Sequence, residues 1–82
     1  MTTAAQLRAA RAMLNLKQPE VAEAALVSVP TLKRAEGSGR PPASVQAVAD
    51  IREALERRGV VFLDPADGHA GGVAWRRGAA KG

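Results

Sequence analysis

The side chains with the clearest chemical potential in this sequence are basic. Lys33, Arg34 and Arg40 lie close together in a chain with 12 basic and 8 acidic residues and a formal net charge of +4. Lysine and arginine bind phosphate, and the planar fork of arginine matches the O6 and N7 acceptors of guanine. This charge balance suits a polyanionic partner such as nucleic acid. A solvated basic face without a partner is the alternative.

The same sequence carries little that suits catalysis or metal binding. Its only histidine is His69, in a glycine-rich stretch, and the absence of cysteine excludes disulfides and thiolate metal sites. Asp64 and Asp67, near the histidine, are typical of turns. The sequence has no glycine-rich phosphate loop and no nucleophile–base signature. We therefore expect no enzymatic activity, no bound metal and no cofactor.

Length and hydrophobicity limit the architecture. A chain of 82 residues forms one small core, and its only aromatic residues are Phe62 and Trp75. An alanine-rich core buries little area per residue, so we expect modest stability for a monomer, supplemented by dimerisation.

No apolar run approaches the roughly 18 residues of a membrane span, and the N-terminal stretch does not resemble a secretory signal. These features predict a cytoplasmic location.

Short helices are predicted to position the basic residues. Apolar spacing, caps and breaks predict four helices, over residues 4–14, 18–25, 28–36 and 43–58. The apolar stripe of the fourth helix consists of Val45, Val48, Ile51 and Leu55. Lys33 and Arg34 then belong to the third helix, and Arg40 belongs to the loop that follows it.

The last third of the chain has a different pattern. Residues 60–63 and 73–76 are short β-prone runs that are predicted to pair as a hairpin. A two-stranded hairpin is marginal by itself in water, so this one must pack on the helices or pair with another subunit. We divide the chain into a helical domain, 1–58, and a hairpin tail, 59–82, which is the candidate dimerisation element.

Residues 17–36 have the pattern of a helix-turn-helix. Two short helices meet at a turn of three or four residues, with the small Ala22 where they touch and with Val27 and Leu32 spaced as buried anchors. Such a corner is typical of proteins that insert the second helix into the major groove of DNA, although any two-helix corner has similar anchors.

This stretch resembles the helix-turn-helix of the Xre family, the regulators related to the lambdoid phage repressors and Cro. The matching residues are QLRAARAML at 6–14, then Gln18, Ala22, Val27, Ser28, Thr31, Leu32 and Glu36, within a resemblance that covers residues 5–55. The tail, GVVFLD followed by GGVAWRR, is similar to the end of a subset of small bacterial members. The resemblance implies a mostly α fold, a four- to five-helix lambda-repressor-like domain with a C-terminal β-hairpin.

Three residues depart from the family pattern. Lys17 stands where a capping serine or threonine is usual, which weakens the start of the second helix. Leu26 stands where glycine is common, and a left-handed conformation there costs leucine about 1 kcal/mol or more, so we expect the turn to differ locally. Ala35 replaces a larger apolar residue, which thins the packing beneath the third helix.

The resemblance also implies DNA-contacting residues at the start of the motif. Gln18 would hold a phosphate and brace the third helix. Ser28 would cap that helix and contact a phosphate. Val29 and Pro30 have no side-chain donors, so they offer apolar contact with a thymine methyl, with packing or exposure as the alternative.

Further along the motif, Lys33 and Arg34 would reach guanine or a phosphate, and Arg34 is the better candidate for a bidentate base contact. The Thr31 hydroxyl would reach backbone phosphate, and Arg40 would contact phosphate or the minor groove. Exposure to solvent is the alternative for these basic residues. By the same resemblance, Arg11 and Glu36 correspond to a partly buried ion pair with a structural role.

The resemblance implies a sequence-specific double-stranded DNA-binding transcriptional regulator, a repressor that acts as a homodimer on an inverted repeat. The alternative is an antitoxin-type interaction module that binds a partner protein through residues 60–82.

Overall fold

The computed structural model describes residues 2–78 and contains, within them, four α-helices and a two-stranded antiparallel hairpin. The elements are α1 (Ala4–Met13), α2 (Gln18–Ala25), α3 (Val29–Ala35), α4 (Val45–Glu56), β1 (Val60–Leu63) and β2 (Gly72–Trp75). The predicted mostly α architecture with a C-terminal hairpin is confirmed, with bounds that agree to within one or two residues. Met1 and residues 79–82 of the predicted tail lie outside the described residues.

Side chains with hydroxyl groups cap the N-termini of three of the helices. Thr3 accepts a hydrogen bond from the Gln6 backbone at the start of α1, while the Gln6 side chain accepts one from the Thr3 backbone. Ser28 caps α3 through the Thr31 N–H, and Ser44 caps α4 through the Ala47 N–H. These caps satisfy backbone N–H groups that have no partner within the helix.

The start of α4 corrects one prediction. The apolar stripe predicts that Val45 faces the core, yet its side chain is 88% exposed. The cap at Ser44 makes Val45 the first helical residue, and the inward position belongs to Ala47, which is buried. Residues two apart on a helix lie on nearly opposite sides, so Val45 points to solvent. Ile51 and Leu55 of the same stripe are fully buried.

One hydrophobic core joins the helices and the hairpin. Its most deeply buried large side chains come from all four helices and β1: Leu7, Val21, Leu32, Ile51, Leu55 and Val60. Helix α4 packs against α1, α2, α3 and β1 and is the central element. Ala22 and Ala35 are buried in the same cluster, which lets the short helices of the motif approach closely.

The hairpin packs on the helices, which is one of the two arrangements expected for it. Phe62 is buried in the core, and the Arg52 guanidinium of α4 lies 5.0 Å from its ring centroid. Gln6 Nε2 donates hydrogen bonds to the carbonyl oxygens of Leu63, at 3.0 Å, and Gly72, at 2.9 Å. One side chain of α1 therefore ties together the end of β1 and the start of β2. None of the helices found between residues 2 and 78 is long and apolar enough to cross a membrane.

Candidate nucleic-acid interface

The corner between α2 and α3 is built by the backbone of residues 26–28. Leu26 adopts the left-handed conformation (φ +59°, ψ +40°) that ends α2, and the Val27 N–H donates to the Ala22 carbonyl at 3.0 Å. The expected local difference in this turn is therefore wrong, because leucine adopts the conformation that glycine favours. The Leu26 side chain is 92% exposed, so burial of that side chain does not offset the strain.

The start of α2 lacks a side-chain cap, as the lysine there predicts. Lys17 precedes the helix, and no side-chain acceptor of its own caps the first turn. The Glu20 carboxylate instead accepts a hydrogen bond from the Lys17 N–H at 2.7 Å, and its negative charge lies in the positive first turn. Pro19 lies in the same turn and brings no N–H that needs a partner.

Glu36, at the end of α3, is a buried hydrogen-bonding centre. Its carboxylate accepts from Arg11 Nε at 2.7 Å and Nη2 at 3.0 Å, and also from Gln18 Nε2 at 3.1 Å. The Glu36 side chain is 4% exposed, and the Arg11 side chain is 24% exposed. The hydrogen bond to Glu36 raises the pKa of Arg11, against the opposing effect of desolvation. One carboxylate therefore joins α3 to both α1 and α2.

Sequence reasoning missed a second arginine in this region. Arg8 Nη1 donates to the backbone carbonyl oxygen of Glu36 and so caps the end of α3. Arg8 precedes Arg11 by three residues, which puts both guanidinium groups on one face of α1. Gly37 follows with φ of +104°, and a Cβ there would lie 3.2 Å from Arg8 Nη1. The i, i+3 spacing of the two arginines was the available signal.

Gln18 has the bracing position that the resemblance implied. Its side chain is half-buried and bonds to Glu36 through one Nε2 hydrogen. The second hydrogen on that nitrogen can still reach an acceptor such as a phosphate oxygen. The phosphate contact of Gln18 stays a prediction.

The candidate contact residues of α3 divide by exposure. Ser28, Pro30 and Lys33 are exposed, whereas Thr31 and Arg34 are half-buried. Val29 is also half-buried and packs against the core, which favours the packing alternative for this side chain over contact with a thymine methyl.

A shallow depression brings most of the basic candidates together. It has a volume of about 270 Å³, and its lining consists of Pro30, Lys33, Arg34, Ser38, Gly39 and Arg40. Three of these side chains are cationic, so the depression is an electropositive surface at the end of α3. Ser38 and Gly39 were not among the predicted residues. Ser28 and Thr31 are not among its lining residues, although Thr31 lies between Pro30 and Lys33 in the chain.

The single histidine has a local contact. His69 Nδ1 accepts a hydrogen bond from the Gly71 N–H at 3.0 Å, within the exposed loop between the strands. Among residues 2–78, no group of three or more histidine, aspartate or glutamate side chains is arranged to hold a metal ion.

Comparison with known proteins found no family model that matches the chain and no curated protein that matches it. The Xre resemblance therefore rests on the motif residues and stays a prediction.

Proposed function

We propose that this protein is a sequence-specific double-stranded DNA-binding regulator that inserts α3 into the major groove. The observation that carries the proposal is the geometry of α3, which follows α2 through a tight left-handed turn and leaves Lys33 exposed beside Arg34. An α-helix with its side chains is about 10–12 Å in diameter, and the major groove is about 12 Å wide. A helix such as α3 therefore fits in the groove, with its N-terminal turn at the base edges.

Rigid placement of α3 supports the same proposal. Base reading requires side chains held to within a fraction of an ångström, which favours sites built on braced helices. The end of α3 is held by Arg8 and Arg11 from α1 and by Gln18 from α2, all through Glu36. A part-buried network of this kind positions the helix and leaves its opposite face free for a partner.

The hairpin leaves the candidate surface accessible. β1 packs against α4, and β2 packs against α1, so the hairpin is supported by helices other than α2 and α3. Among residues 2–78, the depression around Lys33, Arg34 and Arg40 is lined by residues of α3 and the following loop. Phosphates of a duplex can approach it from solvent.

A homodimer on an inverted repeat is the assembly that suits a domain of this size. The Cα atoms extend over 32 × 28 × 17 Å. Recognition helices of dimeric helix-turn-helix proteins lie about 34 Å apart, one turn of DNA. Two copies side by side match that spacing, and the outer edges of the hairpin offer unpaired backbone groups for a two-fold contact. Repression follows if the bound dimer covers a promoter.

The antitoxin-type alternative has less support. A tail that serves a partner protein needs apolar surface left uncovered. In β1, Val60 is fully buried and Phe62 is nearly so, whereas Leu63 is 41% exposed. The side chains of Val60 and Phe62 are packed in the core of their own chain.

Selection from random duplex DNA with the purified protein tests the proposal. We expect enrichment of a palindromic motif with half-sites about one helical turn apart. Arg34→Ala should relax the preference at one position of each half-site. Arg58→Ala removes the same charge from an exposed residue at the end of α4 and should leave the motif unchanged. Recovery of random sequence with the unmodified protein would contradict the proposal.

A further inference from the structure

The Thr31 hydroxyl is the middle member of a polar chain along α3. Ser28 Oγ donates to Thr31 Oγ1 at 2.8 Å, and Arg34 Nη2 donates to the same oxygen at 3.3 Å. Ser28 Oγ in turn accepts the Thr31 N–H at 3.1 Å. Thr31 Oγ1 thus accepts two hydrogen bonds, and its position is set by the cap of its own helix.

The aliphatic part of Arg34 lies beside the loop that follows α3. A Cβ placed at Gly39 would lie 3.7 Å from Arg34 Cγ, so the loop backbone runs alongside the arginine stem. Gly39 has φ of +87°, a conformation that other residues adopt at a cost. Arg34 Nε is buried without a hydrogen-bond partner among the described residues, which indicates that the stem and the first guanidinium nitrogen are shielded from solvent.

Together these contacts direct the Arg34 guanidinium back along α3. Side chains of a helix lean towards its N-terminus, and Thr31 lies one turn before Arg34 in that direction. The N-terminal turn of a recognition helix is the part that meets base edges. The Arg34 side chain also lines the depression that contains Lys33 and Arg40, and a guanidinium released from Thr31 can turn further into it and add to a general phosphate-binding surface.

We infer that Thr31 is a positioning residue for base recognition: its hydroxyl holds the Arg34 guanidinium for a bidentate contact with guanine and keeps it from serving as a phosphate contact. This inference rests on the proposed function. It differs from the phosphate contact that the family resemblance implied for Thr31. Immobilising a flexible side chain before binding removes an ordering penalty, which corresponds to about three- to tenfold in affinity.

The test compares Thr31→Val, which keeps the shape without the hydroxyl, with Thr31→Ser, which keeps the hydroxyl. We expect Thr31→Val to lower the ratio of specific to random-duplex binding by about three- to tenfold, with the loss confined to the base position that Arg34→Ala relaxes. The affinity for random duplex should not fall, because the released guanidinium adds to the phosphate-binding surface, and the salt dependence should stay the same or become steeper. Thr31→Ser should restore the ratio to within about twofold.

A measurement on the free protein keeps the inference testable without DNA. The ¹⁵N–¹H signal of Arg34 Nε reports side-chain order, and we expect greater mobility of this group in Thr31→Val than in the unmodified protein or Thr31→Ser. Thr31→Ala provides a second variant if Thr31→Val does not fold. Equal Arg34 mobility in all variants would overturn the inference.

The outcomes separate the two proposals. If the unmodified protein selects no DNA sequence, the proposed function is wrong and the inference is wrong with it. If the unmodified protein selects a motif and Thr31→Val keeps the full preference at the Arg34 position, only the inference is overturned.

Discussion

Arg11 donates hydrogen bonds to the carboxylate of Glu36 from two guanidinium nitrogens, at 2.7 and 3.0 Å, so the last turn of α1 is joined to the end of α3. The two residues are 25 positions apart in the sequence. Because Glu36 is almost fully buried, its negative charge is stabilised by the ion pair with Arg11 and by the hydrogen bond from Gln18. The pair therefore links the stability of the domain to the orientation of its proposed recognition helix.

Loss of this ion pair should destabilise the fold. We expect Arg11→Met to lower the free energy of unfolding by about 3 kcal/mol, at the lower end for a buried pair because Arg11 is a quarter exposed. Urea denaturation measures this change. Arg57→Met breaks the exposed pair with Glu53, whose side chains are 60% and 66% exposed, and should cost less than about 1 kcal/mol. Equal effects of the two variants would contradict the structural role of Arg11.

The pH dependence of that destabilisation follows from the raised pKa of Arg11. A group whose pKa is raised in the folded protein contributes its full stabilisation below the pKa of the unfolded state and loses it only as the pH rises through the folded value. The pKa of arginine in the unfolded chain already lies far above neutral pH. The difference in stability between the unmodified protein and Arg11→Met should therefore stay constant between about pH 6 and pH 9. A decline across that interval would show that another group titrates with the pair.

Arg40 should act on affinity without acting on sequence preference. It is exposed, in the loop that completes the electropositive depression, where a phosphate is the accessible partner. We expect Arg40→Ala to weaken binding to all duplexes alike and to lower the slope of log K against log salt by about 1. Titrations at several salt concentrations measure this slope. A change in the selected motif would instead assign Arg40 to base reading.

A substitution at Leu26, in the left-handed turn, should stabilise the folded protein. Leu26 has φ of +59° and a side chain that is 92% exposed, so Leu26→Gly relieves strain without removing buried area. We expect a gain of about 0.5–1 kcal/mol in the free energy of unfolding, after subtraction of the greater freedom of glycine in the unfolded chain. Glu23→Gly, at an exposed position within α2, should instead destabilise by about 0.5–1 kcal/mol.

Gln6 should hold the hairpin on the helices. Gln6→Met removes the donors to Leu63 and Gly72 and leaves two carbonyl groups without this partner, so we expect a loss of about 2 kcal/mol. Gln46→Met removes an exposed contact with Asp50 and should cost less than about 0.5 kcal/mol.

Trp75, the only tryptophan, reports on β2 in the same experiment. The hairpin contributes Val60 and Phe62 to the common core. The fluorescence of Trp75 and the helical circular dichroism should therefore change together on denaturation of the unmodified protein. Separate transitions would mean that the hairpin detaches before the helices unfold.

Local signals predicted most of the elements correctly. Ser28 and Pro30 mark the start of α3, and Gly59 follows the end of α4, because caps, proline and glycine act on the backbone within a turn or two. Apolar spacing alone was insufficient at Val45, where the exact starting residue of the helix decides which side faces inward. The left-handed Leu26 likewise depends on its neighbours, since the isolated residue disfavours that conformation.

The amino-acid sequence by itself determined the helical class, the hairpin, the corner in residues 17–36 and the concentration of basic residues near its end, because periodicity, capping and charge are local properties. Only the tertiary structure decided that Arg8 caps α3, that Gln6 ties the hairpin to α1, and that the Arg34 stem lies beside Gly39 while its guanidinium donates to Thr31. Most of these contacts join residues far apart in the chain. The Arg34 stem lies beside Gly39 because the loop after α3 returns past it. Such arrangements form only when the shared core brings the elements together.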